Sequence, residues 1–501
     1  MREMLRFRIR KLAQGAVTMR ALRAGIAAVI AALFGGFGAA ADKPLPEQAA
    51  NALKRAVDFY AGSVAAHGGY VYRYSADLVK REGEGKTDVD TVWVQPPGTP
   101  SVGLAYVEAY ERTGEKYLLD AALAAGECLL QGQYKSGGWN ASIEFAPEQR
   151  VRHDYRVDTE KKKRPRNHTS FDDDKTQSAL RFMMRLDQAL GFKNERIHEA
   201  TKFALEGVLK AQFPSGGWAQ VYDVPSDAGK QPDLTANYPD DWPRKYPGGD
   251  YWVFFTLNDN AMADTIEMLL MAEKIYREPR YRQAALRGGE FLLAAQMPEP
   301  QPAWAQQYTF DMQPVWARKF EPPAISGGES QGVIATLMLL YVETGDRKFL
   351  EPIPRALDYL RNSQLADGQL ARFYELKTNK PLYFTKTYEL VYDDSDLPTH
   401  YGFKVSSKVD QLSRKFDELS KLSADDLSKR RERKPEPPRV TNSLEEEVRS
   451  VIAALDDRGA WVEDGKLRYH GKRDDTMRII ESSTFAENID LLSQYLAAAK
   501  Q

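Results

Sequence analysis

The sequence predicts an all-α fold, an α/α toroid of about six helical hairpins with long loops lining a cleft. Three observations carry this. A turn–helix–loop pattern recurs along the chain. Each copy follows another helix with 3.6-residue periodicity. The Gly- and Trp-bearing loops all come after the second helix of a pair, which gathers them at one end of the molecule.

In chain order, a helix over about Glu47 to Ala66 opens the series. Ser101 to Thr113 precedes the first copy, RTGEKYLLDAALAAGECLLQGQYKSGGW, which ends at Trp139. Lys175 to Leu190 precedes NERIHEATKFALEGVLKAQFPSGGW, ending at Trp218. Asp259 to Tyr276 places Met262, Ile266, Leu269 and Leu270 on one face and precedes the copy ending at Trp304. Ser330 to Glu343 precedes the copy ending near Phe373. Leu444 to Leu455 and Thr484 to Ala499 form a closing pair. Both terminal pairs keep apolar faces, which favours closure into a ring over an open solenoid.

Charge and composition bound the function. Lys and Arg number 69 against 71 Asp and Glu, a net charge of -2, which excludes the basic surface of a generic nucleic-acid binder. A lone cysteine, Cys128, excludes an intramolecular disulfide and a Cys-rich metal site. Residues 1–41 read as a signal peptide: basic residues precede the apolar run Gly25 to Phe37, and Ala39-Ala40-Ala41 offers a small-residue cleavage site. That run is short for a membrane span. The expectation is a secreted or periplasmic monomer, free of the membrane after cleavage, with residues 42–501 as one domain. Three inserts interrupt it. Ala146 to Thr169 reads as a solvated basic loop, Tyr222 to Tyr251 as a segment overhanging the cleft, and 406–442 as a charged surface excursion and linker.

Two acidic motifs sit at helix starts, SFDDDKTQ around Asp172 and TLNDNAM around Asp259. Helix capping explains one or two such carboxylates. Three in a row repel one another unless a cation is near. Hard oxygen ligands of this kind suit Ca²⁺ or Mg²⁺ and not Zn²⁺. Arg318 and Glu321, and Arg372 and Glu375, repeat an i/i+3 pairing beside aromatic residues. They read either as structural ion pairs or as Arg forks for a carboxylate. Trp218, Tyr374 and their aromatic neighbours offer flat faces for sugar rings, so the combination suits an acidic oligosaccharide.

These residues resemble the family 10 polysaccharide lyases, pectate (pectic acid) lyases of the α/α-toroid type. The family pattern runs T-I-D-N, N-G-G-W-P-Q-F-Y-P, T-F-N-D-x-A-M, W-A-R-x-F-E-P-P and W-A-R-F-Y-E. The chain has SFDD at Ser170, SGGWAQVYD at Ser215, TLNDNAM at Thr256, WARKFEPP at Trp316 and LARFYEL at Leu370. The resemblance implies Ca²⁺-assisted β-elimination in a galacturonate-type polysaccharide. It implies Asp172 and Asp259 as metal ligands, Arg372 as the base, and Lys386 where the family has a second substrate-binding arginine. Lys386 departs from that pattern, as do Asp173, Ala219 and Val221. Two other readings stand beside it: an inverting glycoside hydrolase using Asp172 and Asp259, and a non-catalytic oligouronate-binding protein.

Overall fold

The computed structural model describes residues 43–223, 234–433 and 438–500. The signal-like segment 1–41 lies outside the described residues, as does part of the insert before Tyr251. Among the described residues no helix is long and apolar enough to cross a membrane.

The fold is an α/α toroid built from helices α1 (Leu45–Phe59), α2 (Thr99–Thr113), α3 (Lys116–Gln131), α4 (Lys175–Ala189), α5 (Glu195–Lys210), α6 (Ala261–Tyr276), α7 (Pro279–Ala294), α8 (Gly327–Thr344), α9 (Ile353–Asn362), α10 (Val409–Ser420), α11 (Ala424–Glu432), α12 (Asn442–Ala453) and α13 (Ser482–Ala499). Helices α13, α2, α4, α6 and α8 pack on one another in that order, and α13 also lies against α1. The last helix therefore returns to the first. Burial follows from this layering. Helix α6 is buried at every position from Ala261 to Ala272, because it has neighbours on all sides. Helix α5 buries Ile197, Ala200, Thr201, Ala204, Leu205 and Val208, a single stripe at three- and four-residue spacing.

The repeated Gln and Trp have one structural job each. The indole N–H of Trp139 donates to Leu129 O, that of Trp218 to Val208 O, that of Trp304 to Leu292 O and that of Trp461 to Val451 O. Each tryptophan thereby satisfies a carbonyl left open near the C-terminus of the preceding helix. The Gln133, Gln212 and Gln296 side chains each donate to their own loop and to the next outer repeat, at Ala200 O, Ala284 O and Pro352 O. The loop glycines are required too. Gly216 has φ +92°, and a Cβ there would meet Arg287 O at 2.1 Å.

Short strands add a rim that periodicity did not announce, because two- and three-residue strands are too short to show alternation. Thr169–Ser170 pairs with Val221–Tyr222, Phe255–Thr256 with Gln307–Tyr308, and Ala324–Ser326 with Phe373–Glu375. In each case the strand that leads into one buried helix pairs with the strand that follows the next repeat's tryptophan or its equivalent. This lacing brings the acidic helix starts and the arginine loops to one end. The segment expected to be a surface excursion includes α10, which buries Val409, Leu412 and Leu419 against α8 and α9. Its many charged residues hid a narrow apolar stripe.

Candidate active site

The two acidic motifs adopt the same backbone. Phe171 and Leu257 have φ -97° and -105°; Asp173 and Asp259 both have φ 47°; Asp174 and Asn260 both have φ 61°. Two successive residues in the left-handed region are costly for most side chains, and Asp and Asn bear that cost best. The device turns the chain sharply before α4 and α6 and throws the residue at φ 47° inward. In this register Asp259 corresponds to Asp173, and Asp172 to Asn258.

Carboxylate oxygens of Asp172, Asp173 and Asp259 lie within 4.8 Å of one another. Asp173 was not anticipated as a member; the repeated left-handed pair is the feature that singles it out. The third aspartate of the run turns away, paired with Arg181 two helical turns on. Burial and the neighbouring charges of Asp173, Glu329 and Asp172 push Asp259 up to about 7. Burial, then Asp172, push Asp173 up to about 6. The site thus holds negative charge at a cost, which a cation would relieve.

The donor set fits a hard divalent ion. All three donors are carboxylate oxygens, close enough together to share one cation. Two buried amide oxygens without a hydrogen-bond partner among the described residues flank them, Asn258 Oδ1 and Gln95 Oε1. Asn258 Nδ2 donates to Asp259 at 2.8 Å, and Gln95 Nε2 donates to Asp173 at 3.3 Å. Both amides are therefore held at the edge of the acidic cluster. The same closeness tells against an inverting hydrolase, whose carboxylates stand about 6.5–9.5 Å apart to admit a water.

Arg318 and Arg372 interact electrostatically with Asp259, and Tyr401 lies between the two arginines. The Tyr401 ring centroid is 5.4 Å from the Arg318 guanidinium and 4.7 Å from that of Arg372. Glu321 is fully buried and accepts from Arg318 Nε at 2.8 Å, Arg318 Nη2 at 2.5 Å and Tyr401 OH at 2.8 Å. Arg372 donates from Nε to Gly402 O at 2.6 Å, and its Nη1 is 3.7 Å from Glu329. Burial alone would lower the Arg372 guanidinium, but Glu329, Tyr401, Asp259 and Glu321 outweigh it and raise it. Glu329 and Tyr401 escaped the sequence reading. Tyr401 reaches the site only because residues 404–405 pair with 370–371, which lays the preceding loop over Arg372.

Other expected site residues lie elsewhere. Trp218 is 1% exposed with its N–H used on Val208 O, so it shapes the loop and presents no face to a ligand. Tyr374 is likewise core: its OH donates to Ser363 O at 2.5 Å and accepts from Ala371 N. Lys386 is in an exposed turn, with its ammonium 2.7 Å from Asp396. That turn meets the arginine side through Tyr388, whose ring stacks on Phe320 at 5.7 Å. Tyr251, at the end of the long insert, reaches the same region, where Arg318, Glu321 and Asp172 act on its hydroxyl.

One family model matches part of the chain. The family model described as pectic acid lyase matches residues 145–369, which include Asp172, Asp173, Asp259, Arg318 and Glu321. No curated protein matches. Among solved structures, a family 10 polysaccharide lyase from Cellvibrio cellulosa is similar at 18% identity, over 59% of this chain and 91% of that one, with a TM-score of 0.44. An aspartate-to-alanine mutant of the Cellvibrio lyase in complex with trigalacturonic acid is similar at 17% identity, over 64% and 98% of the two chains, with a TM-score of 0.45. A family 76 glycoside hydrolase from a bovine Bacteroides thetaiotaomicron strain is similar at 12% identity, over 92% and 79%, with a TM-score of 0.42.

Proposed function

We infer that this polysaccharide lyase, whose residues 145–369 match the pectic acid lyase family model, cleaves a galacturonate-type polymer by Ca²⁺-assisted β-elimination. The observation that supports it most is a compact carboxylate triad in electrostatic contact with two arginines, Arg318 and Arg372. In this reaction a base removes the proton α to the uronate carboxylate. The electron pair forms the new C=C bond as the bond to the 4-linked sugar breaks and that sugar leaves.

Asp172, Asp173 and Asp259 are the proposed ligands of the ion. Bound Ca²⁺ would supply positive charge against the uronate carboxylate, which lowers the cost of the enolate-like charge that develops. Arg318 is held by Glu321 along one edge of its fork, so its remaining edge is the part available to a substrate carboxylate. Arg372 is proposed to take the proton. Glu329 and Asp259 hold it charged in the arrangement described, so its accepting form is transient and requires those acids to be neutralised first. Gly402 O and the Tyr401 ring fix the guanidinium in place, which supports the near-attack positioning such a step needs.

Lys386 is proposed as an accessory contact at the rim, through a turn that touches the site by way of Tyr388. Export to the periplasm or medium, as a monomer, completes the proposal; it rests on the signal-like residues 1–41 and on a polymeric acidic substrate. The test is incubation with polygalacturonate and Ca²⁺, read by ultraviolet absorbance of the unsaturated product, with EDTA as control. Saturated products would favour a hydrolase. Binding without chain shortening would favour a non-catalytic oligouronate-binding protein.

A further inference from the structure

Lys175 is the first residue of α4, and its ammonium lies 2.9 Å from Asp172 and 3.9 Å from Asp173. The side chain is 10% exposed, so it is committed to the acidic cluster and is not a solvated lysine passing by. A cation at a helix N-terminus opposes the helix dipole. The position is therefore unfavourable for lysine unless the carboxylates compensate.

The repeated backbone shows that nothing in the turn demands a lysine. With Asp173 aligned to Asp259 and Asp174 to Asn260, Lys175 aligns to Ala261. The same left-handed pair is followed by an ammonium in one repeat and a methyl group in the other. The lysine answers to the charge in front of it.

We propose that Lys175 is a resident counter-cation of the acidic centre, which a divalent ion must displace from Asp172 and which then moves to the carboxylate of a bound uronate. This rests on the cation reading above and deepens it. Two cations served by the same carboxylates repel strongly where solvent is scarce. A four-carbon stem lets the ammonium swing by several ångströms without moving α4. Ca²⁺ alone therefore binds weakly, because it must evict Lys175 into a site with no new partner. An oligouronate provides that partner, so ion and sugar bind cooperatively, and each strengthens the other by the same factor.

The experiment is calorimetric titration of chelator-stripped protein with CaCl₂, first without sugar and then with saturating oligogalacturonate. Lys175→Met should bind Ca²⁺ at least tenfold more tightly than wild type in the absence of sugar. Oligogalacturonate should tighten Ca²⁺ binding in wild type and do so much less in the variant. Lys175→Arg, which keeps the charge, should bind Ca²⁺ about as wild type does. Lys175→Gln serves the same purpose should the Met variant fail to fold, as judged by circular dichroism. Neutral variants that bind Ca²⁺ no more tightly than wild type overturn the role of Lys175 and leave the cation reading standing. No Ca²⁺ binding by any of these proteins, with or without sugar, overturns the cation reading and this inference with it.

Discussion

Replacing Asp259 by Asn should change how stability depends on pH. Asparagine keeps the shape and tolerates φ 47°, so the perturbation is the loss of one titrating charge. Asp259 moves from an ordinary value of 3.8 up to about 7 in the folded protein, through burial first and then Asp173, Glu329 and Asp172. A raised carboxylate means that the native state binds more protons than the unfolded state between about pH 4 and pH 7. Stability from this group is therefore present at low pH and lost as pH rises through that window. A shift of about three units corresponds to about 4 kcal/mol at most, at 1.36 kcal/mol per unit, and partial hydration reduces it to about 2–4 kcal/mol. The assay is urea denaturation in EDTA from pH 4.5 to 8, followed by far-ultraviolet circular dichroism. Relative to wild type, Asp259→Asn should gain most of this amount across the range. Ca²⁺ at pH 8 should stabilise wild type and stabilise the variant far less. Parallel pH profiles for the two proteins would refute the electrostatic reasoning.

Arg372→Ala should reduce kcat on polygalacturonate by on the order of 10²–10⁴, with an unchanged circular dichroism spectrum; steady-state rates near wild type would remove the proposed base. Trp218→Phe should lower stability by about 1–3 kcal/mol, through the lost hydrogen bond to Val208 O and a small cavity, while KM for polygalacturonate stays within about twofold in initial-rate assays. Lys386→Ala should raise KM only a few-fold and leave kcat unchanged, because its ammonium is exposed and already paired with Asp396; a large loss in kcat would place it within the chemistry.

The helical repeat was legible because it is written in local periods and in residues with one job. Trp139, Trp218 and Trp304 recur because each must reach back to an open carbonyl about ten residues earlier. Both acidic helix starts and both arginines were equally legible, since runs of like charge and Arg beside aromatics are uncommon in a loop. Spacing did not say which way each side chain points. Of Asp172, Asp173 and Asp174, two face the cluster and one pairs with Arg181, and that choice depends on the left-handed backbone pair. Trp218 and Tyr374 looked like sugar platforms in sequence, yet packing made them core. Residues 409–420 looked like solvated surface, because charge outnumbered a three-residue apolar stripe.

By itself, then, the sequence determined the hairpins, the rim of Gly- and Trp-bearing loops, and the residue types that carry charge. Only the tertiary structure decided that Gln95, Asp173, Asp259, Glu329, Arg372 and Tyr401 meet, although they span some three hundred residues of chain. Periodicity reports how one helix presents its faces to its immediate neighbours. Convergence at one site depends on the lacing of short strands between successive repeats, and each strand is too brief to leave a pattern of its own.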